Sequence, residues 1–138
     1  MRPALLGLLF CAGCVDIKGG AIDLAWTIFG PNGQACCPDG NFCKVAARMA
    51  TVRVNLFLGA CRSGAPDQQR SFPCPSVQGA SQFDVPPGTY CIQVCAVDET
   101  GNQVAIGPGP ILRDVIEGDV VELGAVALTV ATCPSPCP

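Results

Sequence analysis

The sequence predicts an all-β fold, a single antiparallel β-sandwich of about seven strands stapled by disulfide bonds. Three observations support this prediction: apolar residues recur at every second position in several short runs, turn-forming residues separate those runs, and the 138 residues include 11 cysteines. Alternation with a period of two is typical of strands with one face in the core. Dense cysteines are typical of small exported domains.

The first half of the chain contains two strands, a loop and one short helix. Residues 22–28 alternate in polarity and indicate a strand, in which Trp26 is predicted as a core anchor; a ligand-stacking role is the alternative. Residues 30–39 are rich in turn formers and predict a loop. Residues 43–50 lack Gly and Pro, so a short helix is expected there. Alternation returns at residues 51–58.

The middle of the chain, residues 59–71, is polar and predicts a surface loop; the prolines at 73 and 75 argue against a central strand after it. The strongest strand signal lies at residues 89–98, where alternation is unbroken. Turn formers at 86–88, 98–102, 107–110 and 117–119 delimit the remaining segments. The other predicted strands span residues 81–85, 103–106, 111–116 and 120–130.

One short motif resembles a known domain family. The stretch Phe83-Asp-Val-Pro-Pro-Gly-Thr-Tyr90, followed by an alternating strand and Asp98-Glu-Thr-Gly101, is similar to the turn and hairpin of carboxypeptidase-regulatory-like (transthyretin-like) and related Ig-like envelope domains. The resemblance covers residues 81–130. It implies that an aromatic side chain after the Pro-Gly turn enters the core, and that the domain is a structural or binding module without catalysis.

The amino terminus carries the pattern of a secretory signal. Arg2 precedes an apolar run at residues 4–10, and Ala12 and Gly13 lead into Cys14. The order resembles the lipobox of bacterial lipoproteins, with Cys11 where the family usually has Leu. The resemblance implies cleavage before Cys14 and attachment of lipid to its sulfur. The alternatives are an ordinary signal peptide that releases a soluble protein, and an apolar first strand.

This interpretation divides the chain into four parts. We expect a signal peptide at residues 1–13, a lipidated tether at 14–20, the β-sandwich domain at 21–130 and a Cys/Pro-rich tail at 131–138. The apolar run is about as short as signal peptides allow, which a start codon upstream of Met1 would explain. By analogy with enteric lipoproteins, Val15 after the lipidated cysteine favours the outer membrane over the inner one.

Nine cysteines remain once Cys11 is cleaved off and Cys14 is lipidated, so an odd one is expected to be free or bonded between molecules. The nine disulfide candidates are Cys36, Cys37, Cys43, Cys61, Cys74, Cys91, Cys95, Cys133 and Cys137. A metal site is the alternative, but the spacings lack CxxC pairs and the chain has no histidine.

Some pairings can be argued from geometry. Cys91 and Cys95 lie four residues apart on one strand, about 13 Å between Cα atoms, which is beyond the roughly 7 Å that a disulfide spans. Each is therefore expected to bond with a cysteine of the irregular segments, at position 36, 37, 43, 61 or 74. Adjacent Cys36 and Cys37 are not expected to bond with each other. Cys133 and Cys137 are predicted to form the one local pair, across a Pro-Ser-Pro turn.

The composition argues against several functions. Without histidine the usual hydrolytic triads lack a base. A net charge of −3 without a basic cluster argues against nucleic-acid binding. Gly107-Pro-Gly-Pro110 lacks the N–H donors of a phosphate loop, and Asp98 with Glu99 fits a solvated hairpin tip better than a calcium loop. No catalytic residue, metal or cofactor is predicted.

We therefore expect a membrane-anchored lipoprotein of the bacterial cell envelope that acts as a non-catalytic structural or interaction module. Its expected partners are the membrane, through the lipid, and an envelope protein. The alternative is a periplasmic protein that binds or senses a small ligand, for which a cavity of a few hundred Å³ lined by Trp26 would be favourable. A thiol enzyme that uses the odd cysteine is the third hypothesis.

Overall fold

The computed structural model describes residues 17–36, 49–131 and 133. The predicted signal peptide and the tether up to residue 16 lie outside the described residues, and so do Cys14, Cys37, Cys43 and Cys137. The described segments form an all-β fold, as predicted, with one short 3-10 helix at Cys74–Ser76. The strands are β1 (Ala21–Phe29), β2 (Met49–Leu58), β3 (Gln68–Pro73), β4 (Gln78–Ala80), β5 (Gly88–Asp98), β6 (Gln103–Ile106), β7 (Ile111–Val115) and β8 (Val120–Val130).

All eight strands belong to one sheet that nearly closes into a barrel, so the described chain does not divide into two separate sheets. Their order is β3-β2-β5-β6-β8-β1-β4, and β7 pairs with the part of β5 that β6 leaves free. β3 and β4, the strands at the two ends of this order, are joined directly by the 3-10 helix. The pairings among the described strands are antiparallel except that of β1 with β8, the first and last strands.

Three element predictions need correction. The sequence predicts a loop at residues 59–71, but the last residues of this segment belong to β3. β3 is a polar edge strand, and it tolerates Pro73 because an edge leaves one row of N–H groups unpaired. The strand expected at 81–85 is reduced to a bridge between Gly20 and Val85, and the neighbouring β4 lies earlier. Of the expected helix at 43–50, Met49 and the residue after it begin β2, and the rest lies outside the described residues.

The core fills the inside of the barrel with one apolar residue at every second position. β5 contributes Tyr90, Ile92, Val94 and Ala96, as its alternation predicts. Trp26 is a core anchor: its ring stacks on Phe72 with centroids 6.4 Å apart, and its indole N–H donates to the Cys74 carbonyl oxygen at 3.1 Å.

A bulge in β8 keeps both halves of that strand facing inward. The pairing with β1 shifts between Asp23 and Ala25, and Gly124 takes a positive φ of 68° on the bulged strand. Val121 before the bulge and Val126 after it are therefore both buried, although they are five residues apart.

Candidate functional site

A groove opens on the outer face of the sheet where β6 and β7 meet beside β5. The sequence causes the break, because Pro108 and Pro110 have no N–H to continue a ladder. Gly107 holds the break close to β5: its N–H donates to the Val94 carbonyl oxygen at 2.8 Å, and a Cβ at this position would lie 2.4 Å from that oxygen. The resulting groove has a volume of about 390 Å³.

Three amide side chains line the groove among residues that are mostly apolar or glycine. Asn55 and Gln93 are direct cross-strand partners on β2 and β5, so their amide groups stand side by side. Gln103 and Ile106 also line the groove. Amides of this kind can both donate and accept hydrogen bonds, which suits a neutral polar ligand such as a peptide group.

Two buried polar atoms near the groove lack partners in the described chain. They are the Oδ1 atom of Asn55 and the Nε atom of Arg53, which lies two residues earlier on the same face of β2. Buried polar atoms without a partner are uncommon in a folded protein, and an ordered water or a ligand can supply the missing hydrogen bond.

Cys95 lies beside the groove and is the free cysteine of the described residues. Only 8% of its surface is exposed. Burial raises the pKa of its thiol, an effect that the Arg53 charge across the ladder only partly offsets. A reactive cysteine needs the opposite, a lowered pKa and access. Cys95 therefore has the properties of a structural thiol.

Two disulfide bonds join described cysteines. Cys61 bonds to Cys91, with Cα atoms 5.1 Å apart, so Cys91 pairs with one of the cysteines of the irregular segments. The prediction that Cys91 and Cys95 do not bond to each other is confirmed, whereas the expectation that Cys95 bonds elsewhere is wrong. Cys74 is also disulfide-bonded.

The second bond joins Cys36 to Cys133, with Cα atoms 5.3 Å apart, so the predicted local pair of Cys133 with Cys137 is wrong. The physical reason is the parallel pairing of β1 with β8, which brings the segments that follow both strands to the same end of the barrel. Gly30 makes room for this bond, because a Cβ there would lie 2.5 Å from the Cys133 sulfur.

The other two cavities described also lie outside the core. One, of about 280 Å³, includes Asp23 and Glu122, and the other, of about 390 Å³, adjoins the Cys36–Cys133 bond. None of the three is lined by Trp26, so the ligand cavity anticipated at this residue is not among them. Within the described ranges, no group of three or more His, Cys, Asp or Glu side chains is placed to hold a metal ion.

The described chain is thus an all-β protein with disulfide bonds and a groove on its outer face that contains three amide side chains. Comparison with protein-family models, with curated proteins and with solved structures finds no significant match. Among the described residues, no helix has the length and apolar character needed to cross a bilayer.

Proposed function

We propose that this protein is a lipid-anchored module of the bacterial cell envelope that binds or supports other envelope components without catalysis. The observation that carries the proposal is the pair of disulfides in the body, Cys36–Cys133 and Cys61–Cys91, because such bonds persist in compartments outside the cytosol. The lipobox-like sequence that ends at Cys14 supports the anchor, and Val15 supports an outer-membrane location facing the periplasm or the exterior.

The anchor can be tested directly. Each buried methylene contributes roughly 0.8 kcal/mol, so the several acyl chains of a lipoprotein cysteine hold a body of this size stably without a spanning helix. Cells that express the full chain should incorporate radiolabelled palmitate into it, and Cys14→Ser should abolish the label. The control Cys95→Ser, which removes the free thiol of the described residues, should keep it. Absence of label in the native chain would refute the anchor.

The arrangement of the ionisable groups supports a non-catalytic role. Asp98 Oδ1 accepts hydrogen bonds from the Thr100 hydroxyl at 2.7 Å and from the Asn102 N–H at 2.9 Å, so it stabilises the β5–β6 turn. Asp67 accepts from the Leu58 N–H and from Arg62, both at 2.7 Å. These contacts lower the pKa of both carboxyl groups. A general base would instead need a pKa near the working pH.

We further infer that the domain is related in architecture to the sandwich of carboxypeptidase-regulatory-like and Ig-like domains. The support is the corner at the Pro-Gly turn, where the Tyr90 hydroxyl donates to the Pro86 carbonyl oxygen at 2.9 Å. A tyrosine that bonds to the backbone a few residues upstream is a recurring feature of Ig-like sandwiches. An experimental structure in which the two halves of the sheet do not face each other would contradict this inference.

The groove favours a second candidate function, binding of a small polar ligand. Asn55 and Gln93 offer donors and acceptors in a partly enclosed space, and the orphan atoms nearby call for a partner. Addition of N-acetylglycinamide to the labelled protein should shift the side-chain amide NMR signals of these two residues. The amide of Gln78, in the shallow cavity on β4, is the control. Equal shifts at all three amides would count against a specific site.

A further inference from the structure

One end of the barrel carries most of the exposed large apolar residues. We call it the tether end, because residues 17–20 enter the barrel there; it also includes residues 58–59, 83–88 and 116–120. Four of the seven exposed large hydrophobic residues in the described segments lie at this end. They are Ile17, Leu58, Ile116 and Val120, with exposed fractions of 48%, 54%, 57% and 47%.

Backbone and side-chain contacts place these four residues at the same end of the barrel. The Gly118 N–H donates to the Gly19 carbonyl oxygen at 3.0 Å, so the β7–β8 turn lies against the incoming chain. Val120 is the ladder partner of Ala21 at the start of β1. Leu58 belongs to the same end, because it lies against Gly88, whose partner on β7 immediately precedes Ile116.

The charges around this end are mixed in sign. Arg62 pairs with Asp67 at 2.7 Å and Arg70 pairs with Asp84 at 2.9 Å, which neutralises both acids. The turn adds two carboxylates, and the incoming chain adds one lysine; these are Glu117, Asp119 and Lys18. A surface that is apolar and only weakly acidic suits a zwitterionic lipid surface better than an anionic one, which attracts basic segments.

The length of chain outside the described residues then limits where this end can lie. Only three residue steps separate Ile17 from Cys14, and three residues span at most about 11 Å in any conformation. A lipid on Cys14 would therefore hold the tether end within about 11 Å of the bilayer. The opposite end can lie up to about 36 Å farther from the bilayer, because the eleven residues of β5 extend about that far.

We propose that the tether end rests on the membrane, with Ile17, Ile116 and Val120 inserted at the surface of a zwitterionic phospholipid bilayer. The proposal rests on the lipid anchor of the proposed function. The anchor fixes the distance, and the apolar end fixes which side of the barrel faces the lipid. Because the short tether holds this end next to the bilayer, we assign the contact to lipid and not to a second copy of the chain or a protein partner.

Hydrogen exchange of the full lipidated chain on phosphatidylcholine vesicles tests this orientation. The Gly118 and Asp119 amides of the β7–β8 turn should exchange about fivefold more slowly than in lipid-free Cys14→Ser protein. Bilayer contact covers the exposed half of the Ile116 side chain, and this contact must break before the turn can open and exchange. The Gly101 amide in the turn at the opposite end should not change.

Two matched variants locate the contact. Ile116→Asp should abolish the protection while the protein stays on the vesicles through its lipid. Leu112→Asp, four residues earlier and equally exposed at 59%, lies on the outer face beside Cys91 and should retain it. Equal loss in both variants would overturn the proposal.

The remaining outcomes separate the orientation from the anchor. If palmitate is absent and the protein does not sediment with vesicles, the anchor fails and the orientation fails with it. If palmitate is present but exchange of the β7–β8 turn is unchanged, the orientation alone is overturned. Protection of the β7–β8 turn that appears without vesicles and rises with protein concentration would overturn it in favour of self-association.

Discussion

The thiol of Cys95 should resist modification in the folded protein. It lies on β5, the strand that pairs with β2 on one side and with both β6 and β7 on the other. Although Cys95 lines the groove, only 8% of its surface is exposed, so a bulky thiol reagent can reach its sulfur only when the strands around it separate. Central strands usually open with nearly the full free energy of unfolding.

The magnitude follows from that opening. For a domain of ordinary stability, about 5 kcal/mol or more, opening by unfolding slows the reaction by a factor of about 10³ or more relative to the unfolded chain. The raised pKa of Cys95 slows the reaction of the closed state further, because the thiolate is the reactive form. Its modification should therefore accelerate as the pH rises.

The assay is maleimide labelling of the oxidised protein at pH 8, with peptide mapping so that Cys95 is followed individually. Ser63→Cys, in the exposed loop between β2 and β3, provides an accessible thiol of the same chain. We expect rapid labelling at position 63, and labelling of Cys95 only in denaturant. Labelling of native Cys95 at the rate of the loop thiol would refute the reasoning and restore the hypothesis of a thiol enzyme.

Three further predictions concern stability. Val77 has a positive φ of 53°, which is strained for a β-branched residue, so Val77→Asn should raise the free energy of unfolding in urea by about 1 kcal/mol; a decrease would contradict this. Gly79→Ala should lower it by roughly 1–3 kcal/mol, because a Cβ there would lie 2.4 Å from the ring of buried Phe72, and an unchanged urea midpoint would contradict the packing argument. Hydrogen bonds from Thr100 and from the backbone depress the pKa of Asp98 below 3.8, so its stabilising contribution is present above pH 3.8 and is lost as the pH falls through the depressed value. Asp98→Ala should thus be less stable than the native chain at pH 7 and converge with it in acid; a constant difference in urea titrations across that range would contradict the assignment.

The sequence predicts the long strands well because each has one face in the core. The unbroken alternation that indicates a strand at residues 89–98 reappears as β5, with Tyr90 and Val94 buried. β3 gave no such signal: its buried residue is Phe72, and Gln68 and Arg70 occupy the other positions on that face. An edge strand has little apolar alternation to detect.

Pairing between residues far apart in the chain could not be predicted from the sequence for a different reason. The Cys36–Cys133 bond depends on the parallel pairing of the first and last strands, which local composition does not encode. The groove likewise depends on register. Asn55 and Gln93 are 38 positions apart, and only their exact alignment across β2 and β5 places both amides in it.

The outer face of β5 carries both the Cys61–Cys91 disulfide bond and one side of the groove. It is buried on both sides, since Cys91, Cys95 and Val97 on its outer face are covered as well as its core residues. The loop between β2 and β3 contributes to this cover, yet it is polar and largely exposed. Apolar burial therefore contributes little to holding the loop on the sheet.

Three specific contacts hold the loop between β2 and β3 on the sheet. Cys61 bonds to Cys91, the Arg62 guanidinium lies 5.4 Å from the centre of the Phe57 ring, and Asp67 accepts the Leu58 N–H. Small exported domains often use disulfide bonds to compensate for a small apolar core. Because the Cys61–Cys91 bond fixes this loop on β5 next to the break between β6 and β7, its reduction should loosen the outer layer beside the groove before it disturbs the barrel interior. A ligand of the groove should then bind more weakly to the reduced form of the protein than to the oxidised form.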